Sequence, residues 1–172
     1  MQKQKHGALR PAIAALFCTL VFALTWIYVP AGLGNVNLGD AAVLLTAWVL
    51  GGVWGMLAAG VGAALVDLLA GYTVYAPGTL VIKALMVLVA LGVYRLCRRM
   101  PARLGYVLSG VAAEAVMIGG YFLYESFALS YGVGAAALSI PMNALQGAVG
   151  IVVAQILFAV VKRLHLVEKL GL

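Results

Sequence analysis

The chain has 172 residues, 65% of them hydrophobic and only 9% charged, with a mean hydropathy of +1.10. A soluble domain of this size carries roughly a quarter charged residues, so a water-soluble globule is excluded and lipid must be the main solvent. The net charge of +6 does not point to nucleic acid, because Lys and Arg fall in three clusters beside apolar runs and form no basic stripe.

In chain order, the basic start MQKQKHGALR leads into a first apolar helix at about 11–29. It resembles a signal peptide, but no small-residue cleavage site follows, so it reads as a retained span. Small residues recur four apart on this helix, as Ala8-x-x-x-Ala12 and Ala15-x-x-x-Thr19. Such spacing lets helices approach closely, within the bundle or against a partner protein. The loop GLGNVNLGD comes next, with Gly34, Asn35, Asn37 and Asp40 as its conspicuous residues. The spacing Gly34-x-x-x-x-Gly39 begins like a phosphate-binding loop, but Asp40 stands where a Lys is required and would repel a phosphate. The chain is therefore not its own ATPase. Asp40 itself reads first as the N-cap of the helix that follows.

Residues 40–71 are too long for one straight crossing, at roughly 45 Å for some thirty residues. Gly51 and Gly52 divide them into helices at about 40–51 and 53–71. Further apolar helices follow at about 77–97, 104–127 and 140–163. The expected fold is all-α: one membrane domain over 1–172, built as a six-helix bundle.

Charge parity orients it. Lys3, Lys5 and Arg10 precede the first helix, Arg95, Arg98, Arg99 and Arg103 follow the fourth, and Lys162, Arg163 and Lys169 follow the sixth. If all three clusters are cytoplasmic, an even number of crossings separates each pair, and a helical hairpin over 40–71 supplies that parity. Both termini then lie inside, and segments 30–39, 72–77 and 127–139 lie outside. No internal repeat is visible, so an inverted-repeat transporter is not indicated.

Charges within the spans cost about 2.5–3.5 kcal/mol each on insertion scales and usually face a cavity or a partner. They are Asp40, Asp67, Lys83, Glu114 and Glu125. Lys83 is the one basic residue outside the three clusters. Asp67 is either its structural partner or a ligand contact, and Glu125 reads as a residue of the water interface. Glu114, Met117, Tyr121 and Glu125 share one helical face, as do Asn143, Gln146 or Gly147, and Gly150 on the last helix. With Tyr72, Tyr75 and Thr79, these groups converge on the outer half of the bundle, as in a small-ligand site. The tyrosines equally suit an interfacial belt.

Other chemistry is missing from the sequence. His6 and His165 lie in the flanks, and Cys18 and Cys97 are widely separated. No Ser/His dyad or His/Cys zinc site is readable within the spans. The expectation is a binding cavity with no catalytic residue, metal or cofactor of its own.

The run NLGDAAVLLTAWVLGGVWGMLAAGVGAALVDLLAGYTVYAPGTLVIKALM, residues 37–86, resembles the substrate-binding S components of energy-coupling factor (ECF) transporters. The match lies in the riboflavin, pyridoxine and hydroxymethylpyrimidine subgroup. The shared pattern is Asn-Leu-Gly-Asp, a Gly-rich hairpin, an Asp before Gly-Tyr, then Tyr-Ala-Pro-x-Thr and Ile-Lys. The resemblance implies capture of a vitamin-like molecule from outside, under a lid formed by the first external loop. It also implies docking on a membrane T subunit driven by two cytoplasmic ATPases, in the plasma membrane of a prokaryote. Family members often meet the T subunit through an Ala-x-x-x-Ala pattern, which Ala8 and Ala12 match in spacing; Ala15 lies on the neighbouring small-residue face.

The resulting expectation is an S component that binds a vitamin B6 form, a hydroxymethylpyrimidine or riboflavin. Lys83, Asn143, Gln146, Glu114 and Tyr121 are the expected ligand contacts, with Asp67, Tyr75 and Thr79 beside them. Gly34, Asn35, Asn37 and Asp40 form the lid segment. A solitary proton-coupled carrier using Glu114 and Lys83, and a structural scaffold without a ligand, are the rival readings.

Overall fold

The computed structural model describes residues 2–31, 34–165 and 168, with side chains placed for 9–29, 36–165 and 168. It is all-helical apart from one short hairpin. Helix α1 runs over Gln2–Trp26, followed by strands β1 (Tyr28–Ala31) and β2 (Gly34–Asn37). Helices α2 (Gly39–Val49), α3 (Gly52–Leu69), α4 (Ala76–Leu96) and α5 (Ala102–Leu123) come next. A π-helical turn at Tyr124–Ala128, the short α6 (Val133–Ala137) and the long α7 (Ile140–Arg163) complete the chain.

Local chemistry sets several of these boundaries. Gly51 and Gly52 both take positive φ, at 55° and 54°, and make the turn between α2 and α3. Pro77 and Pro141 sit in the first turns of α4 and α7, where a missing N–H costs nothing. The segment expected as a plain loop forms an antiparallel ladder that pairs Tyr28 with Asn37 and Val29 with Val36. The expected loop over 127–139 instead holds the end of the π turn and α6.

Among the described residues five helices are long and apolar enough to cross a membrane, and this is a multi-pass membrane protein. The 11-residue α2 falls short of the roughly 20 residues of a straight span. It is instead an interior helix, with every residue from Gly39 to Ala47 buried. An element apolar all round fits only where neighbours surround it. The other long helices turn residues such as Leu65, Leu88, Val111, Val152 and Ile156 outward, as lipid contact requires.

Close packing on α3 depends on its small residues. Gly60 and Gly62 stand two residues apart, hence on roughly opposite sides of a helix. A Cβ on Gly60 would come within 2.7 Å of the Leu80 carbonyl oxygen of α4, and one on Gly62 within 2.5 Å of the Cys18 carbonyl oxygen of α1. The main core gathers Val21, Leu44, Ala59, Met86, Val87, Ala113 and Met117. A second cluster, with Trp48, Tyr94, Tyr106 and Phe158, fills the end of the bundle that carries Arg95, Arg103 and Lys162.

Candidate functional site

Several polar groups gather at the opposite end of the bundle, where α1 and α5 finish and α4 and α7 begin. A cavity of about 500 Å³ opens there, within the usual range for small-molecule sites. Asn37, Asp67, Tyr75, Thr79, Lys83, Tyr121, Asn143 and Gln146, all expected from sequence, line it.

Lys83 lies two turns into α4 and is only 4% exposed. Its Nζ pairs with Asp40 Oδ1, and Asp40 is fully buried. Gln146 Nε2 donates to the other oxygen, Asp40 Oδ2, at 2.6 Å. The Gln146 side-chain carbonyl in turn accepts from the Asn37 backbone N–H at 3.1 Å. A continuous polar chain therefore runs from α4 through α2 and α7 to β2. Asn37 Oδ1 accepts from Gly39 N at 2.8 Å, holding the bend between hairpin and α2. A Cβ on Gly39 would collide with Thr25 Oγ1 and Asn37 Oδ1, so a larger residue would force those side chains to move.

Two further groups complete the walls. Tyr121 and Thr79 share a hydroxyl–hydroxyl hydrogen bond of 3.0 Å, and Lys83 Nζ lies 5.5 Å from the Tyr121 ring centre. The π-helical turn rotates Glu125 inward, where it accepts from Ser139 Oγ at 2.8 Å and from Tyr75 OH at 3.4 Å. Burial, then the Glu125 carboxylate, push the Tyr75 hydroxyl up from its ordinary pKa, which keeps it a neutral donor. Two buried atoms at the cavity, Asp67 Oδ2 and Thr25 Oγ1, have no hydrogen-bond partner among the described residues.

Some sequence expectations need correction. Asp40 is not an N-cap: Leu38 holds that position, α2 has no side-chain cap bond, and the Asp40 carboxylate is committed to Lys83 and Gln146. For the same reason Asp40 lies beneath the cavity and is not a lid residue. Lys83 makes its ion pair with Asp40 and not with Asp67. Glu114 is not among the cavity-lining residues. It is 4% exposed and packs behind the wall, where a Cβ on Gly147 would come within 2.9 Å of its Oε2. Its helical face passes the cavity only at Tyr121 and Glu125, beyond the fully buried Met117.

Gly34 lies in β2 and Ala8 in α1, but the side chains of Ala8 and Asn35 lie outside the described residues. Ala12 and Ala15 are both exposed on α1. Sequence reading missed Thr25, Tyr28, Ser139 and Met142 as lining residues. Thr25 and Tyr28 close the apolar first helix and resemble ordinary interfacial residues. Ser139 stands two residues before Pro141, which in retrospect marks the start of α7 at the cavity rim.

Fold and cavity together describe a multi-pass membrane bundle with a polar cavity at one end. Residues 9–163 match the family model described as ECF-type riboflavin transporter, S component, and the chain belongs to that family. Its members are transporter components and not enzymes. The fold is similar to a solved S component of a bacterial ECF transporter, with a TM-score of 0.71 and 20% sequence identity. That similarity covers 95% of this chain and 98% of the other. The search of curated proteins found no match.

Proposed function

We propose that this S component captures a vitamin-like ring molecule from outside the cell and delivers it inward with a T subunit and two ATPases. The observation that carries this reading is the roughly 500 Å³ cavity, lined by Lys83, Thr79, Tyr121, Asn143 and Gln146. It lies at the end of the bundle away from the arginine cluster, which supports an outward-facing chamber under the positive-inside rule. The β1–β2 hairpin borders the cavity through Tyr28 and Asn37, a position suited to a lid. Asp67, Tyr75 and Thr79 extend the contact surface toward α3 and α4. A vitamin B6 form, a hydroxymethylpyrimidine or riboflavin is the proposed substrate. The exposed Ala12 and Ala15, with Ala8 on the same helix, are the proposed contact with the T subunit. The host membrane on this reading is the plasma membrane of a prokaryote.

The chain has no ATP-binding motif of its own, and ATP is used by the partner subunits on this reading. Reconstitution in vesicles tests the division of labour. The purified chain alone should bind radiolabelled pyridoxine, hydroxymethylpyrimidine or riboflavin without accumulating it. Accumulation should require a T subunit, ATPases and internal ATP. Uptake by the chain alone, driven by a proton gradient, would instead establish a solitary carrier.

A further inference from the structure

With the buried ion pair accounted for, the cavity holds more negative than positive charge. Among the described residues three charged side chains line it: Asp67, Lys83 and Glu125. Lys83 is already neutralised by Asp40, which is fully buried behind it. Neither an arginine nor a histidine among the described residues lines the cavity.

Among the described residues neither of the two carboxylates, Asp67 and Glu125, makes a salt bridge, although Lys83 lies within electrostatic reach of Asp67. Asp67 on α3 keeps a buried oxygen, Oδ2, with no hydrogen-bond partner among the described residues. Glu125 is 9% exposed and accepts from Tyr75 and Ser139, both neutral hydroxyls. Desolvated carboxylates are costly unless a positive charge comes within reach. Four tyrosines, Tyr28, Tyr72, Tyr75 and Tyr121, line the same space. Aromatic ring faces attract cations, and the attraction grows when both groups leave water.

We propose that the ligand is a heteroaromatic cation, carrying a protonated amine or a quaternary ring nitrogen. Its positive group is held by Asp67 and Glu125, its ring lies against the tyrosines, and the Asn143 amide supplies a neutral polar contact. This assignment rests on the reading of the cavity as the capture site. It narrows the substrate from vitamins in general to those positively charged at neutral pH.

Calorimetric titration of the detergent-purified full chain tests it with pyridoxamine, pyridoxine and riboflavin. The first two share a ring and differ by an ammonium against a hydroxyl group. Pyridoxamine should bind at least about tenfold more tightly than pyridoxine. Asp67→Asn, or Glu125→Gln should the first variant lose its wild-type melting temperature, should bring that ratio close to one. Equal or tighter binding of pyridoxine or riboflavin would overturn the cationic assignment and leave vitamin capture standing. A ratio unchanged in both variants would overturn it as well. No binding of any of the three, nor of hydroxymethylpyrimidine titrated alongside them, would overturn both the assignment and the capture reading.

Discussion

Lys83 and Asp40 form the buried pair on which the site is built. One α4 residue and one α2 residue meet where Asp40 is fully buried and Lys83 nearly so, and Gln146 occupies the second oxygen of Asp40. Removing one partner of such a pair leaves an uncompensated charge, at a cost of about 3–5 kcal/mol, whereas replacing both together is far milder. Lys83→Ala and Asp40→Ala should therefore each lower the melting temperature strongly, and the double variant Asp40→Ala/Lys83→Ala should recover much of the loss. Thermal unfolding of the three proteins in detergent checks this; additive losses would argue against the pair. The sequence made Lys83 visible because a lone cation inside apolar runs has few bland explanations. Its partner was harder to read. Asp67 lies nearer in sequence and on an adjacent helix, while Asp40 follows a glycine and imitates a cap. Only three-dimensional packing brings Asp40 beneath Lys83, and only that packing moves Glu114 behind Gly147 and out of the cavity.

Among the elements, the hairpin is tied to the core through Gln146. Gln146 accepts from the Asn37 N–H and donates to Asp40, so β2 and the buried pair share a residue. Gln146→Ala should free the base of the hairpin and leave a buried Asp40 oxygen unsatisfied, which costs about 1–3 kcal/mol. The expected outcome is ligand dissociation faster by about tenfold, the kinetic equivalent of about 1.4 kcal/mol, read by stopped-flow tyrosine fluorescence. An unchanged dissociation rate would remove the hairpin from the capture step. The long helices were legible because apolar length and proline or glycine boundaries are local signals. The π-helical turn and α6 were not, since both arise where α5 meets α7 and not from local pattern. The same holds for the ladder of β1 and β2, whose four-residue strands contain Pro30 and glycine.

For the whole molecule, the arrangement depends on direction in the membrane. The arginine cluster and the cavity occupy opposite ends, so fixing one end fixes the other. In a chain with Cys18 and Cys97 replaced by Ser, Tyr131→Cys should react with a membrane-impermeant maleimide added to intact cells. Arg99→Cys should react only after the cells are opened. The reverse pattern would place the cavity inside and remove the case for capture from outside. The membrane class and the helical fold could be read from composition and spacing alone, whereas the cavity required the helices to be placed around α2. Native mass spectrometry of the chain purified from rich medium tests the central claim most directly. The account predicts one small molecule bound per chain, lost from the Tyr121→Ala/Asn143→Ala variant while its melting temperature stays near the wild-type value. A wild-type chain with no bound molecule, or an adduct that survives both substitutions unchanged, would contradict it.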